Sequence, residues 1–262
     1  MKKTKKVVVF SGGQDSTTCL FMEKAAGHDL IAVTYNYGQR HKVECEAARI
    51  IAKIAGVPHE VIYFPEVLRG GTLLDGGDLH TYKDYQTMVE EVGDSVENTY
   101  VPVRNMVFLS LAANYALSKG IDFIVTGVCG SDTANYPDCS LKFIKKAEKA
   151  LSAACGNKFF IDAPLAKLSK KEIVRKAWAL GRQCWDALSY SHTAYSGKFP
   201  PTTKDHSTLL REEGFRLAGL PDPMIVRAHK EQGYALPKEN NYSDLLVKET
   251  MNILSDREDY QK

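Results

Sequence analysis

No run of apolar residues in this 262-residue chain approaches the length needed to cross a bilayer, so a membrane span is not expected. Its six cysteines, Cys19, Cys45, Cys129, Cys139, Cys155 and Cys184, contain no Cys-x-x-Cys pair. Neither a zinc ribbon nor a disulfide scaffold can be inferred from such scatter, and the thiols read as small buried hydrophobes. Charge of one sign is also missing. Basic residues number 34 against 32 acidic ones, a net charge of +2, which leaves no global electrostatic case for direct contact with nucleic acid. Lys2, Lys3, Lys5 and Lys6 read as a solvated end rather than a binding arm. An apolar leader is not seen either: the chain enters a strand-like run at once, and a cytoplasmic protein is expected. What remains is ordinary for a soluble globular chain, 44% apolar and 25% charged, long enough for one large domain with a small appendage.

The most informative stretch runs from Val7 to Cys19, VVVFSGGQDSTTC. Val7-Val8-Val9-Phe10 fits a strand buried on both faces. It leads directly into Ser11-Gly12-Gly13-Gln14-Asp15-Ser16-Thr17. Two glycines permit a sharp turn and close approach to a ligand. The helix that follows presents N–H groups and a positive dipole end, which favour anions. Neither the GxxxxGK[ST] nor the GxGxxG spacing is present, so this is not one of the two commonest phosphate-binding loops. The pattern SGGxDS instead resembles the pyrophosphate-binding loop (PP-loop) of the ATP pyrophosphatases, which split ATP into AMP and pyrophosphate while adenylating a substrate.

Along the chain, apolar runs at Leu30–Tyr35, Glu60–Phe64, Phe123–Val128 and Lys158–Ile161 read as further strands. Helical patterns cover Ser16–Ala26, Glu44–Ala55, Asn105–Ser118, Ser140–Cys155 and a segment opened by Ser169 with Glu172 in capping-box form and running to Leu180. The alternation predicts an α/β fold, a parallel sheet of about five strands with helices on both faces, and a ligand at the carboxyl ends of the strands. Arg69 to Asn98 reads as a long glycine-containing loop, a lid or interface segment. From about Gln183 the alternation stops. The expected division is therefore a domain over 1–182 and a helical C-terminal appendage over 183–262.

Four more segments narrow the resemblance: Tyr37-Gly38-Gln39-Arg40-His41, Asn98 to Asn105 (NTYVPVRN), Thr126-Gly127-Val128-Cys129 with Asp132, and Tyr136-Pro137-Asp138-Cys139. Together with the loop they closely resemble the 7-cyano-7-deazaguanine synthases, the QueC family, over roughly Val7 to Leu180. That resemblance implies an adenine nucleotide alpha hydrolase-like fold, ATP and Mg²⁺ as cofactors, a 7-deazaguanine substrate and a homodimer. Its reaction adenylates 7-carboxy-7-deazaguanine, amidates it, and dehydrates the amide to the nitrile. Ser11, Gly12, Gly13, Gln14, Asp15, Ser16, Thr17 and Gly127 would hold ATP. Asp15 would meet Mg²⁺ beside the phosphates, with Arg104, Lys170 and Asp132 as further catalytic candidates. Tyr136, Pro137, Asp138, Asn105 and Arg40 would meet the base, Asp138 because one carboxylate can accept from the base's adjacent N–H and NH₂. Simpler roles stay open: an exposed helix lysine for Lys170, a turn acid for Asp138, loop ordering for Arg40 and His41.

The chain also departs from the family. Zinc cysteines late in the family sequence would fall near His192, Thr202, Asp205 and Thr208, none of them cysteine. Zinc is therefore not expected, and packing of a longer apolar and aromatic appendage is expected to replace it. Gly130-Ser131-Asp132 stands where the family has Glu-Thr-Asp, and Pro102-Val103-Arg104 where it has Pro-Gly-Arg. Losing an acid near the reacting carboxyl leaves the acceptor open. Ammonia is one acceptor; a protein amine is the other, as in QueC-like paralogues of antiviral defence systems.

Overall fold

In the computed structural model, residues 3–38, 43–65, 67–74, 79–93, 95–132, 135–192, 199–256 and 260 are described, Asp132 by its backbone alone. Five strands form one parallel sheet in the order β3-β2-β1-β4-β5. They are β1 (Lys5–Val9), β2 (Asp29–Asn36), β3 (His59–Tyr63), β4 (Phe123–Thr126) and β5 (Phe160–Asp162). The parallel α/β sheet expected from the alternating pattern is what forms.

The two-residue period of β1 explains why its run is apolar throughout. Val8, in register with Ala32 and Val125, faces one apolar cluster, and Val7, in register with Ile124, faces the other. The first cluster is built with α1 (Gln14–Ala25), α2 (Val43–Ala55), α6 (Lys170–Ala179), α7 (Arg182–Tyr190) and Phe215 of α8 (His206–Ala218). The second is built with α4 (Arg104–Ser118) and α5 (Leu141–Cys155). Both faces of the sheet are thus dry, as a parallel sheet requires.

Two features differ from the sequence reading. Residues 69–98 are not loop throughout: α3 (Tyr85–Val92) forms there, capped by Asp84, whose carboxylate accepts from the Thr87 N–H at 2.9 Å. Met88 and Val92, four apart, give it an apolar stripe that is buried against Leu209 of α8. That partner lies more than a hundred residues away, so the local pattern could not reveal the helix. The second feature concerns the 182/183 boundary, which is not a break in the core. Trp185 and Leu188 of α7 are fully buried in the same cluster as Val8 and Leu20. The chain closes with α9 (Pro223–Gln232) and α10 (Asp244–Met251). No described helix is long and apolar enough to cross a membrane.

Candidate active site

The chain leaves β1 toward β2 on one side and later places β4 on the other. β1 and β4 therefore flank the topological switch point, where open α/β sheets bind ligands beyond the strand ends. A cavity of about 310 Å³ lies there. Its floor is the end of β1, the loop that follows, and the end of β4; its walls come from α2, α4, α6 and α8.

The loop is shaped by close packing. Gly12 has φ +79°, and a Cβ on it would stand 2.7 Å from the Ala48 nitrogen of α2. Gly127 lies so near α1 that a Cβ would be 3.0 Å from both the nitrogen and the Cα of Ser16. Glycine at these two places brings the β1 loop, α1 and the β4 end together. Gly13 caps α1 with no side-chain hydrogen bond, so the first-turn N–H groups have no side-chain acceptor at the helix start. Ser11 Oγ accepts from the Gly13 N–H at 3.2 Å and lies 3.1 Å from Ser16 Oγ. Gln14 Nε2 is buried at the cavity and makes no hydrogen bond among the described residues. This end of the cavity is rich in donors and suits an anion.

Charge is organised around one contact that the sequence did not announce. Lys170 Nζ donates to Asp15 Oδ2 at 2.7 Å, with both side chains largely buried. Lys170 is held at the first position of α6 by the capping box: Ser169 Oγ accepts from the Glu172 N–H, and Glu172 Oε2 accepts from the Ser169 N–H at 2.8 Å. Its backbone is pressed against α8, where a Cβ on Gly214 would come within 2.9 Å of Lys170 Cβ. Asp15 thus carries its own counter-ion, and its charge does not simply oppose phosphate.

Arg104 opens α4 and reaches Tyr37, donating to its hydroxyl at 3.4 Å. The turn that aims it contains Val103 at φ 62°, a left-handed conformation costly for a β-branched residue. Tyr136 lines the cavity, its hydroxyl 2.7 Å from that of Thr99. Asn105 lines it as well and donates through Nδ2 to the Asp138 carbonyl.

Several expected site residues stand elsewhere. Thr17 does not line the cavity: its N–H makes the first helical bond, to the Gly13 carbonyl at 3.0 Å, and its side chain is fully buried. Gly12 shapes the turn and Pro137 is exposed; neither lines the cavity. Asp138 is a buried cap. Its Oδ2 accepts the Asn105 N–H at 3.0 Å at the start of α4, and burial raises its carboxyl above the ordinary range. In this position it orients Asn105 rather than facing the cavity. The side chain of Asp132 and all of Arg40 and His41 lie outside the described residues.

Residues given no catalytic or ligand-binding role from the sequence also meet here. Glu44, in the first turn of α2, lines the cavity; burial pushes its carboxyl up to about 7, while the Arg104 charge works in the opposite direction. His192 and His206 line the cavity from the C-terminal part of the chain. The available signal for Glu44 was its place three residues after Tyr37-Gly38-Gln39-Arg40-His41, but an acid at a helix start is commonplace.

Among the described residues no group of three or more His, Cys, Asp or Glu could hold a metal ion. Asp205 caps α8 instead, accepting from the Thr208 N–H and the Ser207 hydroxyl through Oδ1 and from Thr203 through Oδ2. Beside it Arg211, 2% exposed, binds Asp222 through Nε at 2.6 Å and Nη2 at 2.9 Å. Its Nη1 donates to Ser191 Oγ at 2.8 Å. A polar network, not only apolar packing, therefore ties the end of α7 to α8 and α9.

Comparison with known proteins places these features in a family context. Residues 5–219 match the family described as queuosine biosynthesis protein QueC. The 7-cyano-7-deazaguanine synthase of Laribacter hongkongensis is 40% identical over 227 residues, covering 84% of this chain and 94% of that one. The enzyme of the same name from Chromobacterium violaceum is 40% identical over 230 residues, covering 87% and 95%. That of Gloeobacter violaceus is also 40% identical, over 86% and 96%.

Proposed function

The chain belongs to the QueC family of queuosine biosynthesis proteins, ATP-dependent enzymes of the ligase type, and from that premise we propose the reaction its site performs. ATP adenylates the carboxylate of 7-carboxy-7-deazaguanine and pyrophosphate leaves. Ammonia displaces AMP to form the amide, and a second ATP-driven round removes water to leave the nitrile.

The observation that supports this reading most is the donor-rich end of the cavity facing aromatic walls. A carboxylate oxygen is a poor leaving group until it carries an adenylyl group, and that transfer builds negative charge on the departing pyrophosphate. The uncapped α1 N-terminus, Ser11 and Ser16 offer donors there, and Lys170 and Arg104 supply positive charge. When phosphates arrive, Lys170 can share its N–H groups between them and Asp15. Mg²⁺ commonly binds through one or two carboxylates plus substrate phosphates, and Asp15 as a cavity carboxylate fits that role. Bound there, the ion would offset phosphate charge. Tyr136 and Phe108 supply flat apolar surface for a fused ring, and Asn105 supplies an amide at its edge.

The test is product identification. Incubation with 7-carboxy-7-deazaguanine, Mg-ATP and ammonia is expected to release AMP and pyrophosphate and to yield the nitrile. Absence of base-dependent AMP overturns the proposal. A mass gain on a protein amine without free nitrile would mark that amine as the acceptor.

A further inference from the structure

Adenylation and amide formation ask opposite things of a site. The first wants donors and positive charge, which the β1 loop, Lys170 and Arg104 supply. The second needs an acceptor for a proton. As nitrogen adds to the acyl carbon it becomes cationic, and it must lose a proton before AMP can leave.

Among the described cavity-lining residues the carboxylates are Asp15 and Glu44. Asp15 accepts from Lys170. Glu44 stands on another wall, in the first turn of α2, and no hydrogen bond or salt bridge holds it among the described residues. Arg104 of α4, Tyr37 after β2 and Cys45 of its own helix surround it electrostatically. The same cavity is lined by the Asp15–Lys170 pair and by His192 and His206.

We propose that Glu44 is the general base of amidation, its carboxylate taking the proton from the nitrogen that attacks the acyl-adenylate. The C–N bond forms from the nitrogen lone pair, one N–H proton passes to the Glu44 oxygen, and the C–O bond to AMP breaks with its electron pair leaving on phosphate. The inference rests on the adenylation reading above. Burial of the carboxyl, opposed by Arg104, leaves it near neutrality, where a base is most effective at working pH.

Glu44→Gln separates the two half-reactions. Base-dependent exchange of pyrophosphate into ATP should stay within about threefold of wild type, while amide formation from ammonia falls about 10²–10⁴-fold. Hydroxylamine, unprotonated at neutral pH and a stronger nucleophile, should restore acyl transfer nearly to the wild-type rate. Glu44→Asp should retain part of the ammonia activity. Equal loss of exchange and amidation, no loss with ammonia, or no rescue by hydroxylamine would each overturn the role of Glu44. Wild-type protein that shows no base-dependent exchange would instead overturn the adenylation reading beneath it.

Discussion

The two ends of the cavity are built on opposite terms. At the β1 loop, donors are left open to the cavity: a helix start with no side-chain cap and the Gln14 amide, beside the Lys170–Asp15 ion pair. At the C-terminal side, Arg211 spends its guanidinium on Asp222, Ser191 and the Leu188 carbonyl, and Asp205 accepts from the Thr208 N–H at the start of α8, although Thr208 Oγ1 stays buried without a partner among the described residues. Buried polar groups cost free energy unless paired, so the second region is one that holds the fold. The first tolerates open donors because a ligand can satisfy them. Stability and binding thus draw on the same kinds of group, separated by whether their partners are already present.

That contrast can be broken from either side. The largest effect is expected at the saturated end. Arg211→Met leaves Asp222 buried without its cation and should cost about 3–5 kcal/mol of unfolding free energy by chemical denaturation. Adding Asp222→Leu should restore part of it, though not the cap that Asp222 gives the Met224 N–H of α9. At the open end the reverse is expected. Lys170→Gln should reduce base-dependent pyrophosphate exchange about 10²–10³-fold, while unfolding shifts by less than at Arg211, because Asp15 and Lys170 keep more contact with water (21% and 13% exposed) than Asp222 and Arg211 (4% and 2%).

Glu44 sharpens the comparison through pH. Its carboxyl titrates near 7 in the folded chain and near 4.5 in the unfolded one, so between those values the folded state binds more protons. Stability therefore falls as pH rises through that window, and it is restored below the unfolded value. Glu44→Gln should be more stable than wild type at pH 8, by about 1–3 kcal/mol, with the gap closing by pH 4.5. A gap that does not narrow in acid would show the carboxyl to be ordinary. The smallest effect lies at the turn that aims Arg104. Val103→Gly relieves the left-handed φ of 62° and should add about 1 kcal/mol of stability in thermal unfolding.

Much of this architecture was legible in the linear pattern. Four consecutive apolar residues before Ser11-Gly12-Gly13 predicted a doubly buried strand and a turn into a helix, and both form because period and glycine geometry are local properties. The capping box at Ser169 was equally readable. What the linear pattern did not show were contacts with a distant partner. Helix α3 gains its apolar contact from Leu209, and Asp138 Oδ2 accepts the Asn105 N–H at the start of α4.

By itself, then, the sequence determined the parallel sheet, the position of the loop at its carboxyl edge and the family motifs. These follow from short-range rules: strand alternation, helix caps and glycine at tight turns. Only the tertiary structure decided that Lys170 meets Asp15, that Glu44 is drawn from water into the cavity wall, and that Arg211 with Asp222 braces the C-terminal side. The physical reason is common to all three. A side chain's charge and hydrogen bonds depend on what packing brings within a few ångströms and on how far water is excluded, and both are set by parts of the chain remote in sequence.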